Sequence, residues 1–103
     1  MNQENLSIIA ADATLAYQHA LNVVKGPWPL GEAAIATDAN LSYWYARNCI
    51  KGPWPLGEAA IATDPLTAYN YATNILKDRF VLGETAIDAD STIASMYSIL
   101  VKQ

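Results

Sequence analysis

Apolar positions along this chain recur at steps of three and four, the spacing of one helix face. Tyr43, Ala46 and Ile50 stand at i, i+3 and i+7, and the stripe returns as Tyr17, Ala20 and Val24 and as Tyr69, Ala72 and Leu76. This pattern predicts amphipathic helices that turn these side chains inward. A second inward row is expected from Tyr45, Tyr71 and Tyr97 with Cys49, Ile75 and Val101, and His19 stands in the Tyr place of the first helix. The helices carrying these rows are expected over about 13–25, 39–51 and 65–77. Asp38 and Asp64 stand where an N-cap belongs, and Pro65 suits a first turn. Gly52 is expected as the left-handed stop, and Pro53 prevents continuation. Short helices of about two turns are expected to start at Pro29, Pro55 and Val81, with Leu30, Ala34, Ile35 and their copies inward. Such helices are too short to hold alone, so packing must sustain them.

The pattern is periodic on a longer scale. Lys25-Gly-Pro-Trp-Pro-Leu-Gly-Glu-Ala-Ala-Ile-Ala-Thr-Asp38 recurs unchanged as Lys51 to Asp64, 26 residues on, and more loosely as Lys77 to Asp90. Trp28 and Trp54 align with Phe80, and Glu32 and Glu58 with Glu84. The register defines full units at 15–40, 41–66 and 67–92, with half units at 1–14 and 93–103. A fixed period in this range marks stacked supersecondary units. The expected fold is therefore all-α, a short right-handed α-α solenoid of about three two-helix repeats with half-repeat caps. The Trp-Pro corner is expected to pack each turn against the next unit.

Composition narrows the function. The 103 residues carry 6 basic and 10 acidic side chains, a net charge of −4, one Cys and one His. Without a basic cluster, nucleic acid is an unlikely partner, since phosphate neutralisation supplies most of that affinity. A single thiol excludes an internal disulfide and points to a reducing cytoplasm. No apolar run approaches the roughly 20 residues that span a bilayer. The chain is thus expected to be cytoplasmic and free of the membrane.

Catalytic candidates are few. His19 has no carboxylate at helical spacing to orient it, and Cys49 fills a position held elsewhere by Val23, Ile75 and Val101. The Glu32, Glu58 and Glu84 ladder lies in first turns that favour negative charge, a full repeat apart and too far to share a metal. The Lys25, Lys51 and Lys77 ladder lies at helix C-termini. Asp88 and Asp90 read as a doubled helix start. No catalytic residue, cofactor site or metal site is assigned, and the chain is read as a non-enzyme.

Binding is then expected where the units differ. On the outward face of the long helix, Gln18 and Asn22 give way to Trp44 and Asn48, then Asn70 and Asn74, then Met96 and Leu100. Trp44, Asn48, Asn70 and Asn74 are the candidate partner-binding residues. Met96, Ile99 and Leu100 are the candidate oligomer interface, because a terminal helix should be polar on its outer side. The alternatives are a C-terminal helix folded more deeply onto the third unit, a structural or assembly role, and sequestration of a small ligand between the aromatic rows.

The string Tyr-x-Tyr-Ala-x-x-x-Ile-Lys-Gly-Pro-Trp-Pro-x-Gly-Glu-x-Ala-Ile, at Tyr43 to Ile61, resembles the tandem helical repeat of tailed-phage and prophage proteins. The resemblance spans about residues 15–92. The third unit departs from it, with Asp78-Arg79-Phe80-Val81 in place of Gly-Pro-Trp-Pro. It implies a phage or prophage origin, action inside the host cell during infection, and no enzymatic activity. A protein target follows by analogy, and inhibition of a host defence complex such as CRISPR–Cas is one such use.

Overall fold

The computed structural model describes residues 3–101, so residues 1–2 and 102–103 of the expected half units lie outside the described residues. Every regular element described is helical. α1 (Gln3–Ala10) precedes α2 (Ala13–His19), which runs on into a π turn (Ala20–Val24), and α3 (Pro29–Ile35) follows. The order returns as α4 (Ala39–Tyr45) with its π turn (Ala46–Ile50) and α5 (Pro55–Ile61). It returns again as α6 (Pro65–Tyr71) with a π turn (Ala72–Leu76), a 3-10 turn (Val81–Gly83) and α7 (Glu84–Asp88). α8 (Ser91–Val101) comes last. α2 packs on α4, α4 on α6 and α6 on α8, and the Cα positions extend over 50 × 21 × 17 Å.

Local chemistry accounts for each start and stop. Asp12, Asp38, Asp64 and Asp90 each accept from the backbone N–H three residues on, at 2.9 to 3.0 Å. Asp38 and Asp64 thus cap where the sequence placed them. Pro29, Pro55 and Pro65 occupy first turns, where a missing N–H costs nothing. Val81 lacks proline's fixed φ, and the third short segment opens as a 3-10 turn instead.

The exits differ from expectation. The left-handed residue is Lys and not Gly: Lys25, Lys51 and Lys77 have φ of 62°, 64° and 56°, and no described glycine has positive φ. The π turn explains this. Its extra residue brings Lys51 N–H to the Ala46 carbonyl at 2.7 Å, and the same oxygen accepts from Gly52 N–H at 3.1 Å. The chain reverses one residue earlier than an α-helical stop would require. A Cβ at Gly52 would meet nothing within 4 Å, and the third unit carries Asp78 at that place with the exit unchanged.

Packing is closest where long helices meet. Ala20, Ala46 and Ala72 are fully buried there, together with Tyr45 and Tyr71, while Ile35, Ile61 and Ile87 fill the inner side of the short segments. Two further expectations are corrected. Leu30, Leu56 and Leu82 face outward, because Gly31 and Ile35, one turn apart, set the inner face of the short helix and leave Leu30 beside it. Val23 is 65% exposed and Val24 is exposed as well, whereas Cys49 is 3% exposed: α4 and its π turn lie against a preceding long helix, and α2 has only α1 before it.

The glycine within each short segment, Gly31, Gly57 or Gly83, is a packing requirement. A Cβ on Gly57 would lie 2.4 Å from the Trp54 ring and 2.9 Å from Ser42 Cβ, and Gly31 and Gly83 meet the same obstruction. At an open helical site Gly→Ala gains about 1 kcal/mol. Here the clash reverses the sign. Gly57→Ala is expected to lose about 1–3 kcal/mol, and Gly52→Ala to change stability by less than about 0.5 kcal/mol, both read from urea unfolding. Equal effects at the two sites would refute this account of the corner.

Candidate functional site

One polar contact joins successive units. Trp28 N–H donates to Tyr45 Oη at 2.7 Å, and the Tyr45 hydroxyl donates to Glu32 Oε2 at 2.6 Å. Tyr71 does the same with Trp54 N–H and Glu58, at 2.9 and 2.6 Å. Tyr97 does so with Phe80 N–H and Glu84, at 2.8 and 2.6 Å. Each tyrosine thus reaches from its long helix into the corner of the unit before it. Where its own unit has a corner aromatic, its ring packs there, as Tyr45 on Trp54 at 4.6 Å and Tyr71 on Phe80 at 5.0 Å. The corner aromatic therefore packs within its unit, and its backbone N–H makes the link to the next. The corner thus meets the next unit as expected, but through its backbone and not its ring.

Electrostatics follow from this geometry. Burial, then the hydrogen bond to the glutamate, pushes Tyr45, Tyr71 and Tyr97 above the ordinary phenol value of 10.0. The Tyr97 hydroxyl, more than the Arg79 guanidinium, holds Glu84 below the ordinary carboxyl range. Arg79 stands where the other units have Pro and pairs with Glu84 at 3.0 Å.

A second polar link absorbs two candidate binding residues. Asn48 Nδ2 donates to Tyr17 Oη at 3.0 Å, and Asn74 Nδ2 to Tyr43 Oη at 2.8 Å, each across 31 residues. These amides bridge neighbouring long helices and are not free on an outer face, which corrects their expected setting. Asn70 is half-buried. Leu100 takes the Asn place in α8 and is also half-buried, packed against the core with Val101. Its expected outward position is corrected too, since it is half-buried as Asn48 is at the matching place. Met96 is half-buried, and Ile99 is 64% exposed.

Trp44 is left as the open aromatic on the long-helix face, 42% exposed. The Arg47 guanidinium lies 5.4 Å from its ring centre, and Tyr43 meets its edge at 5.1 Å. Arg47 Nη1 also reaches Tyr43 Oη at 3.4 Å, so Trp44, Arg47, Tyr43 and Asn74 form one cluster. Its neighbours at the matching positions are Gln18 and Leu21 on one side, Asn70 and Thr73 on the other. The result is a cation–aromatic patch flanked by uncharged side chains.

The other candidate groups sit in the scaffold. His19 packs on Trp28 with ring centres 4.4 Å apart, in the place Tyr45 takes against Trp54. Cys49 is buried, and burial raises its thiol pKa, which disfavours the reactive thiolate. Among the described residues no three His, Cys, Asp or Glu side chains gather as a metal site, and no helix is long and apolar enough to cross a membrane. Comparison with family models, with curated proteins and with solved structures gives no match.

The tyrosine link escaped the sequence reading, although a signal for it is present. Glu32, Glu58 and Glu84 each have Tyr 13 residues on, and where Leu6 replaces Glu, His19 replaces Tyr. The two positions change together. Tyr71→Phe is expected to cost about 2 kcal/mol, because it strands a buried N–H and the Glu58 carboxylate. Glu58→Gln added to it should cost little more, and simple additivity in that double-mutant cycle would rule out a direct link.

The same pairs set the pH profile. The three phenols are favoured neutral in the fold, so their contribution is complete below pH 10.0 and is lost as pH rises through the higher folded values. Glu84 is favoured ionised, so its contribution is complete above 4.5 and is lost as pH falls through its lower folded value. Thermal melts followed by circular dichroism should show a plateau between these limits. Tyr45→Phe and Tyr71→Phe should each flatten the alkaline fall.

Proposed function

We propose that this protein is a non-catalytic protein-binding module of phage origin, built as a short right-handed α-α solenoid of 26-residue units and acting in the host cytoplasm. Its scaffold supports this reading, because the groups that could do chemistry are already engaged. The glutamates hold tyrosines, His19 holds Trp28, and Cys49 is buried. The observation that carries the proposal is Trp44. It is large, 42% exposed and flanked by Arg47, and no scaffold contact requires Trp at a position that is Gln, Asn or Met in the other units. Trp and Arg are the residue types that most often anchor protein interfaces.

The use to test first is inhibition of a bacterial defence complex of the CRISPR–Cas kind. A cell carrying an active system is challenged with a targeted phage while the protein is expressed. Wild type should restore plaques. Trp44→Ala should lose at least about 2 kcal/mol of target binding, roughly 30-fold, with the melting temperature unchanged. Full activity of folded Trp44→Ala would remove Trp44 as the anchor, and no protection by wild type would remove this target class. A second reading, association through the α8 end, rests on Ile99, whose 64% exposure is high for an isoleucine.

A further inference from the structure

The short segments carry a surface that neither the scaffold nor the Trp44 patch uses. α3 packs beside α5, and α5 beside the 3-10 turn that leads into α7. Each presents the same position outward: Leu30 is 60% exposed, Leu56 57% and Leu82 58%. Val81, in the place of Pro29 and Pro55, is 70% exposed, and Ala33 and Ala59 face outward one turn further on. These are three apolar rungs in a row. The first two also lack charge along their length, because the single carboxylate within each, Glu32 and Glu58, is turned in to a tyrosine hydroxyl. On the third rung Glu84 is turned in likewise but also pairs with Arg79, whose side chain is 58% exposed, and Asp88 is exposed at the far end.

We propose that this ladder is an isologous contact between two copies of the chain, related by a two-fold axis passing beside Leu56. Three arguments select a second copy. A partner that engages more than one rung must repeat at the same spacing, and a second copy does so by construction, with rungs one and two identical from residue 25 to 38 and from 51 to 64. Two chains of net charge −4 meet with least repulsion where charge is withdrawn, and the inward turn of Glu32 and Glu58 leaves the first two rungs uncharged. The named side chains leave on the order of 500 Å² exposed, enough for the apolar centre of a contact whose standard size is about 800 Å² per partner. Under the two-fold, Leu56 meets Leu56, and Leu30 meets Leu82 of the second copy. Apolar repeats would then face each other in register, with Asp88 at the rim.

The contact is separate from the Trp44 reading and survives its failure. Light scattering over a hundredfold concentration range should show wild type passing from the 11.2 kDa chain mass to twice that value. Leu56→Asp should hold it at the single-chain mass with an unchanged circular dichroism spectrum, since Leu56 is outside the core. Disulfide trapping gives an independent reading in a Cys49→Val background. Leu56→Cys should cross-link to itself, and Leu30→Cys to Leu82→Cys but not to itself. The proposal is overturned by wild type that stays single at millimolar concentration, by a dimer that survives Leu56→Asp, or by one that Ile99→Asp dissolves instead. Self-linking of Leu30→Cys would overturn the two-fold arrangement.

Discussion

The structure depends on a phenol hydroxyl shared between a backbone N–H and a carboxylate of the preceding unit. Short helices of seven residues cannot persist in water on their own hydrogen bonds. The tyrosine fixes one to its successor at three points: the ring, the hydroxyl oxygen and the hydroxyl proton. Within a buried corner each bond is stronger than it would be in water, and leaving any member unpaired would cost more than making the bond contributes. The Gly under the aromatic, the Ala rows between long helices and the inward glutamate all follow from the close approach that this contact needs.

Its strength is graded along the chain. Tyr45 and Tyr71 have corners on both sides, so the ring and the hydroxyl are both engaged. Tyr97 engages the hydroxyl alone, with Arg79 added to the carboxylate. His19 has the ring contact, and Leu6 stands in the place of the glutamate. The asparagine link fades in the same way, since Asn48 and Asn74 reach a tyrosine while Leu100 leaves Tyr69 without one among the described residues. Polar order is thus densest in the middle units, and apolar contact takes over toward α8.

Much of this architecture was legible in the sequence. The 26-residue period, the Asp caps and the two helix lengths are local or periodic properties, and such properties are written in one chain. What was missed depends on geometry between units. No propensity announces that a π turn will move the left-handed position from Gly52 to Lys51, or that Leu56 faces out because Gly57 and Ile61 face in. For the candidate site, Trp44 was legible as the residue that breaks its row. Asn48 and Asn74 were not, because helical spacing places them on the outer face without revealing that an amide there can reach a tyrosine of the neighbouring helix.

The same contact explains how a repeat can carry a conserved scaffold and a variable surface in only 26 residues. Glutamate, tyrosine, glycine and the corner aromatic consume the inward positions, and their pairing withdraws charge from the short-helix side. Apolar side chains can therefore stand exposed on that face without disturbing the core, as Leu30, Leu56 and Leu82 do. The long-helix side is under no such constraint, and one row of it changes freely, from exposed Gln18 and Trp44 to half-buried Asn70 and Met96. A face that repeats suits a partner with the same period, whereas a face that varies suits a partner with none. One polar link thus leaves the molecule with two surfaces of different kinds, each open to change without loss of the other.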